Sequence, residues 1–323
     1  MKALVTGATG FVGSHLVEAL QRHQVEVTAL ARSREKAAVL SARGVHVVET
    51  DLHDLDGLTR AAQGQAIVYH VAGLVAARSE ADFLHANRNG TRNVLAAAER
   101  SGSSPRFILV SSLAAGGPAP RGLPLEGTEA PRPVTAYGRS KLAGENVVRQ
   151  SALPWSIVRP PIVYGPRDRE VLKVFRMARF GVAPVFGDGS QELSAIHAAD
   201  LTNALIAVAE HPSTAGRVYN ACHPEIFSSR DFGRAVGQAM HRSVVTVPVP
   251  ALLGRALLSI TETTAKLAGQ TTILTTDKAH EFFQPAWTGD PRPLTRDTGW
   301  RARFDLQTGL ADTYQWYRRA GWL

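Results

Sequence analysis

Short apolar, β-branched runs recur through the first half of the chain at Ala3–Val5, Val25–Leu30, Val45–Glu49, Ala66–Ala72, Phe107–Ser111 and Ser156–Arg159. Most are apolar on both faces, the pattern of a strand buried within a parallel sheet,. Between them, Gly10–Arg22, Asn87–Arg100 and Tyr137–Gln150 carry apolar residues at helical spacing. Strands alternating with helices predict an α/β class: a Rossmann-like doubly wound parallel sheet, helices on both faces.

After Pro160-Pro161 the pattern loosens through the Gly/Pro-rich stretch 181–189. A return to the sheet is expected before Asp200, placed to cap a helix Leu201–Glu210,. A further strand is expected at Val218–Ala221, and Ser228-Ser229-Arg230-Asp231 reads as a capping box opening a helix through Met240,. The expected division is a dinucleotide-binding domain over 1–165, with returns at about 194–212 and 240–250,. A smaller substrate-binding lobe takes 166–193, 213–239 and 251–323, with Trp287, Trp300, Trp316 and Trp322 in its last third.

The 323 residues are 44% hydrophobic and 20% charged, enough for a large buried core,. Cys222 is the single cysteine, so no disulfide and no Cys-rich metal site is expected, and the protein is read as cytoplasmic,. The start lacks the long apolar centre of a signal peptide. Arg255, Glu262 and Lys266 interrupt the apolar stretch 250–269, which reads as an amphipathic helix and leaves interfacial contact open,. The net charge of +8 is spread along the chain without basic blocks, so no nucleic-acid partner is expected; an anionic cofactor accounts for it as well,.

The first strand runs into Thr6-Gly7-Ala8-Thr9-Gly10-Phe11-Val12-Gly13 and then a helix. Glycines there allow a tight turn and close approach of a pyrophosphate to main-chain N–H groups at the helix start. Gly7, Thr9, Gly10, Phe11, Val12 and Gly13 are therefore candidate cofactor residues. The second strand ends without the carboxylate that would hold an NAD ribose; Arg32, aided by Lys36, suits a 2′-phosphate instead,. NADP is favoured over NAD. Asp51 and Leu52 stand where adenine would be contacted, and Val71, Ala72 and Gly73 where the second ribose would lie. His70 reads as a hydrogen-bonded structural histidine.

Tyr137 and Lys141 are one helical turn apart, so the ammonium is placed to lower the phenol pKa from about 10 towards neutrality. Such a tyrosine gives a proton to a carbonyl oxygen or takes one from an alcohol. The pair alone recurs by chance. In order with Thr6–Gly13, Asp51-Leu52, His70–Gly73, Asn87-Arg88-Asn89-Gly90-Thr91, Val110-Ser111-Ser112 and Arg159-Pro160-Pro161-Ile162-Val163-Tyr164-Gly165-Pro166, it resembles the extended short-chain dehydrogenase/reductase family over nearly the whole chain. Within that epimerase/dehydratase-like group the pattern is most similar to dihydroflavonol reductases and 3β-hydroxysteroid dehydrogenases.

The resemblance implies that Ser112, aligned by its distance from Gly117-Pro118, hydrogen-bonds the reacting oxygen. It makes Tyr137 the acid/base, with Lys141 also on the nicotinamide ribose and Asn87 shaping the helix beside the site. Pro160 and Val163 would border the nicotinamide. Sugar-nucleotide members carry a diphosphate-gripping arginine in a Gly-x-Gln-x-Arg pattern; here Leu193 stands in its place, and Leu113-Ala114 replaces the dehydratase Asp-Glu pair. Arg167, Arg169 and Arg292 are the candidates to restore that charge. The expected activity is reversible hydride transfer between NADP(H) and a mainly apolar ketone, aldehyde or alcohol. A nucleotide-sugar epimerase with tightly held NAD and a non-catalytic dinucleotide sensor are the alternatives, and a helix-mediated homodimer is the family's habit.

Overall fold

The six apolar runs of the first half all form strands, and the helical spacings between them form helices. The structure is a computed structural model describing residues 1–323. It opens with β1 (Lys2–Thr6), α1 (Phe11–Arg22), β2 (Glu26–Ala31), α2 (Arg34–Ser41), β3 (His46–Glu49), α3 (Leu55–Ala62) and β4 (Ile67–His70). Then come α4 (Glu80–Leu84), a π-helical turn His85–Asn89, α5 (Gly90–Arg100), β5 (Arg106–Val110), α6 (Leu113–Gly116), α7 (Ala136–Arg149) and β6 (Trp155–Arg159). The second half begins β7 (Ile162–Tyr164), α8 (Glu170–Ala178), β8 (Val182–Phe186), β9 (Glu192–Leu193), β10 (Ala195–His197), α9 (Ala198–Glu210), β11 (Arg217–Asn220), β12 (Phe227–Ser228) and α10 (Ser229–Ala239). It closes with β13 (Val245–Val249), α11 (Ala251–Leu267), α12 (Ala279–Phe282), β14 (Ala286–Trp287), α13 (Arg292–Thr298) and α14 (Leu306–Arg319).

Seven strands make one parallel sheet in the order β11-β6-β5-β4-β1-β2-β3. The chain winds outward from β1 through β3, then returns to β4 and winds the other way. The reversal opens a crevice at the C-terminal ends of β1 and β4, where such sheets bind ligands. On one face Leu16 and Leu20 of α1 meet Leu201 and Leu205 of α9; on the other, Leu58, Leu95 and Val148 of α3, α5 and α7 cover Val68 and Phe107. Each such side chain contributes roughly 1.5–3 kcal/mol of burial. A second core, with Leu172, Phe175, Leu193, Phe232, Leu310 and Tyr317, unites α8, α10 and α14 with the small sheet β12-β9-β14.

The domain division read from the sequence needs correcting at four points. β11 pairs in register with β6, so residues 217–220 complete the main sheet instead of belonging to a smaller lobe. β13 pairs only with β8, so 240–250 does not return to it. The strand before α9, β10, pairs with β7 in a separate two-stranded sheet. Trp300 packs into the core of the main sheet, away from the Trp316–Trp322 pair.

The capping box at Ser228 and Asp231 forms as expected. The cap expected of Asp200 does not: α9 starts earlier, and His197 accepts from the Ala199 N–H. Asp200 is buried in the first turn, where one carboxylate oxygen accepts from the N–H groups of Arg303 and Phe304, each at 2.9 Å. Asp200→Ala strands both donors in the interior, so a loss on the order of 3 kcal/mol in urea-unfolding free energy is expected, with Asp200→Asn losing less.

Candidate active site

The loop after β1 and the loop after β4 touch. Gly7 has φ +70, and a Cβ there would lie 2.7 Å from the Ala72 nitrogen; at Gly13 it would collide with the Gly7 carbonyl. The Ala72 N–H donates to Thr6 Oγ1 at 3.1 Å, which fixes Val71–Gly73 beside the glycine turn. Gly10 caps α1 with no side-chain acceptor, so the N–H groups of Phe11, Val12 and Gly13 have no partner within the helix,. Three unclaimed donors at a dipole's positive end, with glycines lining the approach, fit a pyrophosphate. Thr9 sits in the same turn.

Asn87 lies in the π-helical turn, a rare geometry often found at functional sites,. Its Oδ1 accepts from the Leu74 N–H at 2.8 Å, while Nδ2 donates to Leu74 O at 3.0 Å and Ser140 Oγ at 2.9 Å. Asn87 therefore ties the loop after β4 to α7, consuming both its donors. His70 is wholly buried between Thr6 Oγ1 (2.7 Å) and Thr91 Oγ1 (3.0 Å), and desolvation holds its pKa down to about 3. It is a neutral strut, as the sequence suggested.

α7 presents Tyr137 and Lys141 on one face. Ser112, at the N-cap of α6, accepts from the Ala114 N–H at 3.2 Å, and its hydroxyl stands near enough to the Tyr137 phenol to favour its ionised form. Its neighbour Ser111 turns the other way and donates to Glu145 Oε1 at 2.6 Å. Lys141 Nζ donates to Val110 O at 2.8 Å, leaving two N–H groups, and lies 3.5 Å from where a Cβ on Gly73 would sit. The structure thus brings Ser112, Tyr137, Lys141, Gly73 and Asn87 to the crevice mouth.

The expected lowering of the tyrosine pKa is not found. Burial pushes the Tyr137 phenol up to about 12; the Ser112 hydroxyl opposes the rise and the nearby Glu281 charge adds to it. Lys141 is itself lowered to about 8, chiefly by desolvation, with Glu145 pulling it back up. Its ammonium faces the strand ends and the Val110 carbonyl, so burial dominates at the phenol.

Two groups of site-building residues escaped the sequence reading. Glu145, one turn beyond Lys141, forms a buried two-point ion pair with Arg159 of β6 (2.8 and 2.6 Å). A charged residue closing an otherwise apolar buried strand was the available signal. The second group comes from 277–281: Asp277 accepts from the Ala136 N–H at 2.9 Å and Glu281 from Thr135 Oγ1 at 2.7 Å, capping α7 from outside. Lys278, ion-paired with Glu281, lies 5.3 Å from the Tyr137 ring centroid. No local pattern announces contacts so distant in sequence.

The remaining candidates surround the crevice. Arg32 is exposed at the tip of β2, and Lys36 is exposed in the first turn of α2, whose cap is Ser33. Asp51 uses Oδ1 on the N–H groups of His53 and Asp54, which leaves its second oxygen for a ligand, and Leu52 packs at Gly90. Pro160 O accepts from the Leu113 N–H, and Val163 is half-buried against the main core. Leu193 is buried in the second core, paired with Phe227 and Trp287. Arg167 is bound to Glu18, Arg169 lies over Trp322, and Arg292 is bound to Asp290. A cavity of 530 Å³ elsewhere, beside Glu129, Arg217 and Asp297, holds none of the candidates.

Glu145→Ala leaves Arg159 charged and buried, so unfolding free energy should drop by about 3–5 kcal/mol, with part regained in Glu145→Ala/Arg159→Met. His70 supplies a pH signature. Its folded pKa of about 3 lies below the ordinary 6.5, so its contribution is present above about 6.5 and is lost as pH falls towards 3,. The slope is about 1.4 kcal/mol per pH unit, and His70→Gln should flatten it in urea titrations between pH 7 and 5.

A ceramide reductase of Caulobacter vibrioides is 33% identical to this chain over 322 residues, covering 99% of this chain and 95% of its own. A 4-hydroxy-2-methyl-3-oxo-4-farnesyl-3,4-dihydroquinoline-1-oxide ketoreductase of Stigmatella aurantiaca is 32% identical over 233 residues, 68% of this chain and 67% of that protein. Among solved structures, the UDP-glucose 4-epimerase of Thermus thermophilus in complex with NAD shares the fold with TM-score 0.78 at 24% identity, over 99% of this chain and 100% of that one. The family model of the NAD dependent epimerase/dehydratase family matches residues 3–222. The chain belongs to that family and is an NAD(P)-dependent enzyme of the short-chain dehydrogenase/reductase type.

Proposed function

We propose that the protein interconverts a ketone or aldehyde and the corresponding alcohol on an apolar, lipid-like molecule, with NADP(H) as cofactor. The observation that carries the reading is the Ser112–Tyr137–Lys141 grouping combined with Leu193 buried where a diphosphate-gripping arginine would stand. Arg167, Arg169 and Arg292 are engaged elsewhere, so a sugar-nucleotide diphosphate loses charge-assisted contacts of roughly 1.5–3 kcal/mol each,. The names of the Caulobacter and Stigmatella relatives, a ceramide reductase and a ketoreductase, support the same direction.

When bound, the cofactor would supply hydride for the carbonyl carbon, or accept it in reverse. Tyr137 gives its phenolic proton to the carbonyl oxygen as the C=O π bond breaks, and Ser112 donates a hydrogen bond to that oxygen. A phenol held up to about 12 stays protonated at neutral pH, the form that reduction needs,. The two free N–H groups of Lys141 would hold the ribose hydroxyls, and Arg32 and Lys36 would take the 2′-phosphate,.

Tyr137→Phe should lower ketone reduction by at least about 100-fold; unchanged turnover would sink the reading. Arg32→Ser should raise the KM for NADPH on the order of 10- to 100-fold and leave that for NADH nearly unchanged. In the reductive direction kcat/KM should fall as pH rises through about 8, where Lys141 loses its proton,. A profile flat to pH 10 contradicts that assignment.

A further inference from the structure

One apolar surface is not used by the site. The sheet β8–β13 buries Ala183 and Val185 on its inner face, where Gly233 of α10 approaches so closely that a Cβ would meet Ala183 Cβ at 3.0 Å. Side-chain alternation sends Val182, Pro184 and Phe186 to the outer face, together with their register partners Val245, Val247 and Val249,. All six positions are apolar, although a solvated sheet face ordinarily alternates to polar residues. Val245 is 67% exposed and Phe180, just ahead of β8, 85%.

α11 extends this surface. Its inner stripe, Gly254 and Leu258, is buried, with Gly254 against the rings of Phe186 and Phe283. The adjoining stripe, Leu253, Leu257, Ile260 and Leu267, recurs at helical spacing and faces solvent, with Leu252 beside it at 85% exposure,. The helix meets the sheet at the half-buried Phe186, so the exposed apolar residues of the two elements adjoin instead of being scattered singly,.

The charges around it are mainly basic, although Glu170 and Asp188 bound the segment that carries β8 and Glu262 lies on α11 itself. No Asp or Glu occurs from Val171 to Gly187 or from Met240 to Thr261, whereas Lys173, Arg176, Arg179, Arg242 and Arg255 do. Only Lys173 among them is held in an ion pair, with Glu170. Arg242 donates to the Arg179 carbonyl, which sets two guanidinium-bearing residues beside Phe180. No helix is long and apolar enough to cross a membrane. Apolar side chains bordered by unpaired arginines match an anionic lipid surface, acyl boundary below and phosphates around.

We propose that the outer face of β8–β13 and the outer stripe of α11 seat the protein on an anionic lipid bilayer. The segment following α11 reaches the start of α7 through Asp277 and Glu281 and the Tyr137 ring through Lys278, so the bilayer would lie on the side from which an acyl-chain substrate arrives. That last step rests on the proposed lipid-like substrate; the docking does not.

The test is flotation of the full chain with mixed phosphatidylglycerol–phosphatidylcholine vesicles and with pure phosphatidylcholine vesicles, at low and high salt. Binding to the mixed vesicles, weakened by salt, is expected. Leu253→Glu/Leu257→Glu/Ile260→Glu should abolish it, and each of Arg176→Gln, Arg179→Gln and Arg242→Gln should lower partitioning roughly five-fold. NADPH binding and turnover of a water-soluble ketone should be unchanged in these variants. The proposal is overturned by wild-type protein that stays free of mixed vesicles at low salt, or by variants that float as well as wild type. It is equally overturned if the leucine variants only dissociate a dimer in sedimentation, which would make the face a contact between copies. Failure of ketone turnover alone would overturn the function proposed above and leave the vesicle result to decide the docking.

Discussion

The buried Glu145 carboxylate is the constraint on which the geometry of the crevice depends. It draws the Ser111 hydroxyl at the end of β5 and the Arg159 guanidinium at the end of β6 onto a single point of α7. A charge this deep is tolerable only when fully paired, so the helix has one seat on the sheet. Lys141 and Tyr137 lie one and two turns earlier on the same face. Fixing Glu145 therefore fixes where the phenol meets Ser112 and where the ammonium meets the ends of β4 and β5.

The second anchor works from the other side. Asn87 holds Leu74 and Ser140 together, and His70 links Thr6 to Thr91, so the glycine turn, the loop after β4 and α7 form one hydrogen-bonded frame. The frame is built of neutral groups: desolvation keeps His70 uncharged, and the amide of Asn87 spends its donors on structure. Charge enters beside this frame, in the buried Glu145–Arg159 pair and in the buried Lys141, which keeps two free N–H groups, and at the rim, where Arg32 stands exposed at the tip of β2.

What could be read from residues alone follows from physical range. The main sheet was legible because its strands are apolar on both faces, and the glycine turn because Gly7 and Gly13 have no room for a Cβ. Ser112 could be separated from Ser111 only by alignment; in the structure Ser111 donates to Glu145, while Ser112 caps α6 on the side of the Tyr137 phenol. The tyrosine pKa was misread because spacing records the proximity of Lys141 and not burial, and burial prevails. β11 and β13 exchanged places with expectation because short apolar runs do not name their partners. Asp277 and Glu281 were invisible: each lies more than 140 residues along the chain from the start of α7 that it caps.

In the function proposed above, this frame serves net redox chemistry on an apolar carbonyl. The decisive measurement supplies the purified enzyme with NADPH and a long-chain ketone, and in parallel with UDP-glucose, following cofactor oxidation and product together. One NADPH oxidised per alcohol formed from the ketone is expected, with no change in the sugar nucleotide. Epimerised UDP-glucose without cofactor consumption, alongside an untouched ketone, would overturn that reading.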